Sequence, residues 1–139
     1  MAHTVRDVMT EKPLALQAGT TLTEAARAMR DHDVGTVVLL DDDRIAGIVT
    51  DRDITIRAVA EGMDPNNTVL SQVGSQELTT VSPDISLNDA VELMRTRAVR
   101  RLPVVEDGRP IGIVSIGDLA VERDPDSALA DISAAEPNR

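Results

Sequence analysis

The chain has 139 residues, enough for one ordinary domain or for two small units sharing a core. Apolar residues make up 42%, but Phe, Tyr and Trp are absent, so the core must be aliphatic. A net charge of −10 and the lack of aromatic stacking platforms argue against nucleic acid and anionic membrane surfaces as partners.

Cys is absent as well, which excludes disulfides, thiol nucleophiles and thiolate metal sites and fits a reducing compartment. The polar start, from Met1 to Asp7, has no apolar signal core, and no apolar run reaches membrane-spanning length. A cytoplasmic protein is expected.

Val5 to Thr10 is a short apolar-polar segment, followed by Pro13 and an extended stretch from Leu14 to Leu16. Thr21 and Glu24 have capping-box spacing, in which the hydroxyl takes a backbone N–H and the carboxylate reaches back. A helix is predicted from that point. Leu22, Ala25, Ala26 and Met29 fall at i, i+3, i+4 and i+7 and form one stripe for burial, with Glu24, Arg27 and Arg30 facing away. Asp31, His32 and Asp33 end the helix. Gly35 to Leu40 reads as a strand, Asp41 to Arg44 as a polar hairpin loop, and Ile45 to Val49 as the return strand. A second helix is predicted over about Asp51 to Glu61, stopped by a left-handed Gly62 with Pro65 beyond.

From Leu70 the pattern restarts. Val73 to Ser75 answers Val8 to Thr10, and Ser86 with Asp89 repeats the capping spacing of Thr21 with Glu24. Leu87, Ala90, Val91 and Met94 repeat the helical stripe. Arg101 to Val105 answers Thr36 to Leu40, Glu106 to Arg109 is the second hairpin loop, and Ile111 to Val114 the second return strand. Gly47-Ile48-Val49-Thr50 leads to Asp53 as Gly112-Ile113-Val114-Ser115 leads to Asp118, 65 residues later, with no insertion or deletion between the copies. The boundaries read as repeat 1 over residues 1–62, a linker over 63–69, repeat 2 over 70–123 and an acidic tail over 124–139. In the tail, Asp124 and Pro125 open a short helix anchored by Leu129 and Ile132. Two copies are too few for a solenoid. The fold class is α/β (α+β), a pseudo-two-fold pair of β-α-β-β-α repeats packed sheet to sheet.

The β-α-β-β-α repeat, the Val5-to-Thr10 opening, the strand from Arg100 to Val105 and the two corners ending at Asp53 and Asp118 together resemble a tandem pair of CBS domains, the Bateman module. The resemblance covers roughly residues 5 to 121. The run from Thr50 to Ile54, followed by Ala60 to Pro65, is similar to stand-alone bacterial CBS-pair proteins, including the hypoxic response type. The family implies a non-catalytic regulatory module that requires no cofactor. It binds adenosine-containing ligands such as AMP, ADP, ATP or S-adenosylmethionine in two clefts. It implies that Asp53 and Asp118 take ribose hydroxyls and that Thr50 and Ser115 contact ribose or phosphate. It also implies that each cleft is completed by the opening segment of the other repeat, Thr10 and Leu14 near Asp118, Ser75 and Thr79 near Asp53. Homodimers formed through the helices after the corners, and a regulated partner protein of unknown identity, follow from the same resemblance. A ligand-free structural or protein-interaction dimer is the alternative.

The chemistry of the corners bears two readings. A carboxylate suits a ribose because it accepts from two vicinal hydroxyls at once. The same Thr50–Asp53 and Ser115–Asp118 spacing is also a capping box that needs no ligand. Arg100 and Arg101 form a solvated face or an ion pair in the bland reading; the family places a basic residue here against phosphate, and Arg101 matches best. Repeat 1 has Gly35 and Thr36 instead. The Asp118 cleft is therefore expected to prefer the phosphorylated ligand, while the Asp53 cleft takes a less charged one, uses Arg52, or stays empty. Without aromatics, adenine would lie among Leu14, Ile48, Val81 or Ile113, whose burial at ~25 cal/mol per Å2 supports affinity in the micromolar range or weaker. His3 and His32 are too few for zinc. Asp41 to Asp43 lacks the spaced ligands of an EF-hand. Met29 and Met94 fit the core stripe. Neither a nucleophile elbow nor a P-loop nor a Rossmann fingerprint occurs, so catalysis is not expected.

Overall fold

The structure is a computed structural model that describes residues 4–75 and 78–123, with the side chains of Glu122 and Arg123 left aside. The acidic tail, with the short helix predicted around Leu129 and Ile132, lies outside the described residues, as does His3. The elements in order are β1 (Thr10–Glu11), β2 (Ala15–Gln17), α1 (Leu22–His32), β3 (Thr36–Asp41), β4 (Arg44–Thr50), α2 (Asp51–Ile54), α3 (Leu87–Arg97), β5 (Arg101–Glu106), β6 (Arg109–Ser115) and α4 (Ile116–Arg123). Short 3-10 turns at Val5–Asp7 and Leu70–Gln72 open the two repeats, and a π-helical turn, Thr55–Val59, continues α2.

The chain divides into two compact units. The amino unit holds the described residues 13–78 together with 108–110; the carboxy unit holds 4–12, 79–107 and 111–123.

In the amino unit the sheet order is β2-β3-β4. β2 runs parallel to β3, with Ala15 opposite Val38, and β3 runs antiparallel to β4, with Thr36 opposite Thr50. The turn between β3 and β4 is tight because Asp42 takes a left-handed φ of 59°, a conformation that Asp tolerates. α1 starts where Thr21 accepts the N–H of Glu24 at 3.2 Å and stops at Asp33, also left-handed. The linker supplies the acceptors that a helix start lacks: Leu22 N–H donates to Thr68 O at 2.9 Å and Thr23 N–H to Pro65 O at 3.2 Å. The core is Leu22, Ala25, Met29, Val37, Leu39, Val49, Ala58, Leu70 and Val73. Leu70 and Val73, which open repeat 2 in the sequence, are thus core residues of this unit.

In the carboxy unit the sheet order is β1-β6-β5. β1 pairs antiparallel with β6, Thr10 opposite Ile113. Val81 bridges Val104 in parallel, occupying the place that β2 takes in the other unit. α3 begins at Ser86, which accepts the N–H of Asp89 at 3.1 Å, and ends at a left-handed Ala98. The core is Val5, Val81, Leu87, Ala90, Met94, Leu102, Val104, Val114 and Leu119. Val5, from the opening of repeat 1, is completely buried here, its N–H bonded to Ile85 O at 3.0 Å.

Two expectations of detail change. Ala26 is exposed and Val91 only half-buried, because an 11-residue helix lying on three strands buries a narrower stripe than the i+4 positions imply. The predicted helix over Asp51 to Glu61 is one α turn that widens into π geometry, marked by the bond from Ala60 N–H to Thr55 O at 2.9 Å. Gly62 ends it with φ of 72°.

Candidate functional site: two carboxylate corners

Each corner forms where a return strand turns into a helix. In the carboxy unit, β6 ends at Ser115 and α4 begins at Ile116, whose N–H donates to Arg100 O at 2.8 Å. In the amino unit, β4 ends at Thr50 and Asp51 N–H donates to Gly35 O at 2.9 Å. The same backbone bond therefore sets both corners, and residue 35 or 100 sits beside each helix start.

Both carboxylates close capping boxes. Asp118 Oδ2 accepts Ser115 N–H at 2.8 Å and Ser115 Oγ accepts Asp118 N–H at 3.1 Å. Asp53 Oδ2 accepts Thr50 N–H at 2.9 Å and Thr50 Oγ1 accepts Asp53 N–H at 3.2 Å. Each Asp thus commits one oxygen to the backbone. The structural role anticipated for these spacings is present in full. It leaves Oδ1 of each carboxylate outside the box, and each hydroxyl still has its proton to donate.

A glycine lets an opening segment cross each return strand. A Cβ on Gly47 would lie 2.8 Å from Ser75 O, and one on Gly112 would lie 3.0 Å from Thr10 O and 2.6 Å from Met9 Sδ. Backbone approach of this kind demands glycine. Ser75 and Ile48 exchange backbone bonds at 2.9 and 3.1 Å, so Ser75 belongs beside the Asp53 corner, and the Thr10–Ile113 pair does the same for Asp118.

The structure therefore groups Thr10, Arg100, Arg101, Ser115 and Asp118 in the carboxy unit, and Thr50, Arg52, Asp53 and Ser75 in the amino unit. Leu14 packs on the core of the amino unit, where its carbonyl accepts Val38 N–H at 2.9 Å, and Thr79 falls in the carboxy unit.

The charge settings differ. Arg100 and Arg101 are exposed, and neither forms an ion pair with a described carboxylate side chain. At the other corner, Asp51 lies over Gly35, its Oδ2 2.8 Å from where a Cβ would stand, and its Oδ1 accepts Arg52 N–H at 2.8 Å. Arg57, which sequence reasoning passed over, stands with Nε 3.9 Å from Asp53 Oδ1. The signal that could have found it is its i+4 spacing from Asp53.

The carboxy unit has a hollow whose lining does not include Asp118. It is a groove of about 490 Å³ between α3 and α4, lined by Val91, Met94, Val99, Ile116 and Leu119, with Arg95 at its side. Ile116 is 44% exposed there.

Comparison with known proteins agrees with this architecture. The family model for the CBS domain matches residues 5–59 and 70–123. The CBS domain-containing protein YhcV of Bacillus subtilis (strain 168) is 40% identical over 133 residues, which cover 93% of this chain and 94% of that protein. A crystal structure of Hypoxic Response Protein I with two coordinated zinc ions superposes with a TM-score of 0.77 at 36% identity, over 88% of this chain and 99% of that one. The CBS domain pair of protein MJ0100, in complex with 5′-methylthioadenosine and S-adenosyl-L-methionine, shares the fold with a TM-score of 0.74 at 24% identity, over 84% of this chain and 96% of that one. The chain belongs to the CBS-domain family and carries a pair of CBS repeats, a class of regulatory module.

The zinc ions are a property of that relative. In this chain there is no Cys, His32 Nδ1 lies 2.9 Å from Ala28 O, and among the described residues no group of three or more His, Asp or Glu side chains converges to hold a metal. The described donor set does not fit zinc. Among the described residues, no helix is long and apolar enough to cross a membrane.

Proposed function

We infer that this chain is a non-catalytic, cytoplasmic sensor that binds an adenosine-containing ligand of the AMP, ADP, ATP or S-adenosylmethionine class at its carboxylate corners. One observation carries the reading: Ile116 N–H, at the helix start that holds Asp118, donates to Arg100 O, so the backbone of the pair Arg100 and Arg101 adjoins this corner, and both side chains are exposed and without a described carboxylate partner. A cap alone needs no cation. A carboxylate with a spare oxygen, at a corner whose backbone adjoins two arginines, suits a ligand with vicinal hydroxyls at one end and phosphate at the other. Asp118 would take the hydroxyls through Oδ1, Ser115 would donate its hydroxyl proton, and Arg101, with Arg100, would meet the phosphate. Thr10 lies on the strand next to this corner.

At the Asp53 corner, Thr50, Asp53 and Ser75 are the matching groups, with Arg52 exposed nearby. Leu14 and Thr79 are proposed from the family pattern alone to bound the adenine. The MJ0100 pair supports the ligand class only as an instance of what the fold accommodates. Binding would act by favouring one arrangement of the repeats over another, a population shift that a regulated partner protein reads.

A thermal-shift and calorimetric series with AMP, ADP, ATP, S-adenosylmethionine and adenosine tests the reading. A dye or circular dichroism must report the melt, since the chain has no aromatic residue. Stabilisation that grows with ligand concentration above the dissociation constant supports it. Absence of any shift with all five rejects it in favour of a ligand-free interaction dimer.

The groove between α3 and α4 favours self-association as a second element of the function. An apolar lining at a helix pair, with Ile116 exposed at 44%, suits another copy of the same surface, since the same patch on each partner closes a two-fold dimer. A homodimer through this face is compatible with either ligand reading.

A further inference from the structure

The cation of the Asp53 corner stands on the helical turn that follows it. Thr55–Val59 is π-helical, and Arg57 lies in the middle of that turn. Its Nη1 donates to Val73 O at 3.1 Å, on the segment that leads to Ser75. Its Nε is 3.9 Å from Asp53 Oδ1, an electrostatic contact too long for a hydrogen bond, so neither group satisfies the other. Asp53 Oδ2 is already bonded to Thr50 N–H. The Arg57 side chain is 53% exposed and that of Asp53 19% exposed, so the cation opens to solvent while the carboxylate is recessed.

A helix ornament would look different. An exposed i,i+4 pair at this separation contributes little to stability and would leave the guanidinium free to swing. Here one nitrogen is tied to a backbone carbonyl of a different segment. That tie fixes the plane of the fork and reduces the freedom lost when the remaining N–H groups bind an anion.

The geometry points to Arg57 as the specificity-determining residue of the Asp53 corner, receiving the phosphate of a ligand whose ribose hydroxyls bond Asp53 Oδ1. The inference rests on the adenosine-ligand reading and extends it. The amino unit, which has Gly35 and Thr36 where the carboxy unit has Arg100 and Arg101, selects phosphorylated ligands with a helix arginine instead. The guanidinium fork matches two phosphate oxygens, and an uncharged nucleoside gains nothing from it.

Calorimetry with AMP and with adenosine tests this on the full chain carrying Asp118→Asn, which weakens the other corner and keeps an acceptor for its cap. The protein is expected to bind AMP about tenfold or more tighter than adenosine. Adding Arg57→Gln should remove that preference by weakening AMP and leaving adenosine unchanged, and Arg57→Lys should retain part of it. Circular dichroism melts establish that each variant is folded. Should Arg57→Gln not fold, Arg57→Lys decides alone: loss of the fork must weaken AMP and not adenosine. An AMP-to-adenosine ratio that Arg57 substitution leaves unchanged overturns the role of Arg57 while the ligand reading stands. A wild-type chain that binds none of AMP, ADP, ATP, S-adenosylmethionine and adenosine overturns both.

Discussion

Asp118 and Ser115 bond to each other twice, carboxylate Oδ2 to backbone N–H at 2.8 Å and backbone N–H to Oγ at 3.1 Å. Asp53 and Thr50 repeat the arrangement at 2.9 and 3.2 Å. The carboxylate proposed for ribose is therefore also the cap that fixes its own position. Its oxygen outside the box is presented without rotamer freedom, which lowers the ordering cost of binding a hydroxyl pair.

This double duty separates two substitutions at one site. Asp118→Ala removes one half of the capping box, the acceptor of Ser115 N–H, while Ser115 Oγ still accepts the N–H of residue 118, and is expected to cost about 0.5–1.5 kcal/mol of stability. Asp118→Asn keeps an acceptor for Ser115 N–H and should melt close to wild type. Both should weaken AMP binding, because the charge-assisted acceptor is gone. Denaturant titration followed by circular dichroism, paired with calorimetry, checks the two effects separately.

The arginine pair beside Asp118 predicts a charge-selective effect. In a chain that also carries Asp53→Asn, Arg100→Gln with Arg101→Gln should weaken AMP binding at the Asp118 corner about tenfold or more and leave adenosine nearly unchanged. Both side chains are exposed, so the melting temperature should shift little. The AMP affinity of the wild type should also fall as salt rises, which a calorimetric series at several ionic strengths measures.

Gly47→Ala is expected to destabilise the amino unit by about 1–3 kcal/mol, since the new methyl would stand 2.8 Å from Ser75 O, a backbone atom that has little room to move. Gly19→Ala provides the control, for no atom lies within 4 Å of its would-be Cβ. Chemical denaturation of the two variants side by side reads the difference.

The α3–α4 groove predicts the outcome of a charge placed in it. Ile116→Asp puts a carboxylate on a 44% exposed apolar site, so folding should survive. Sedimentation velocity should show a homodimer for the wild type and a shift to monomer for the variant. A wild-type monomer at micromolar concentration would reject the interface.

Much of the architecture was legible in the residues because it is local. Cap spacings at Thr21 and Ser86 fix the starts of α1 and α3, and alternation and hairpin loops fix β3–β4 and β5–β6. The 65-residue register aligned the two corners without structural help.

Other features depended on which segments meet in space. That Gly47 and Gly112 each admit a crossing backbone cannot be read from their neighbours in sequence, since the atoms they would strike belong to residues 75 and 9–10. Arg57 has its place beside Asp53 only through a bond from Nη1 to the Val73 carbonyl, on a segment outside its own helix. Sequence alone determined the repeated elements and the carboxylate at each bend, because caps, turns and periodicity act within a few residues. Tertiary structure alone decided how closely the opening segments press on Gly47 and Gly112 and that Arg57 is tied to the Val73 carbonyl, because those depend on contacts between residues far apart in the chain.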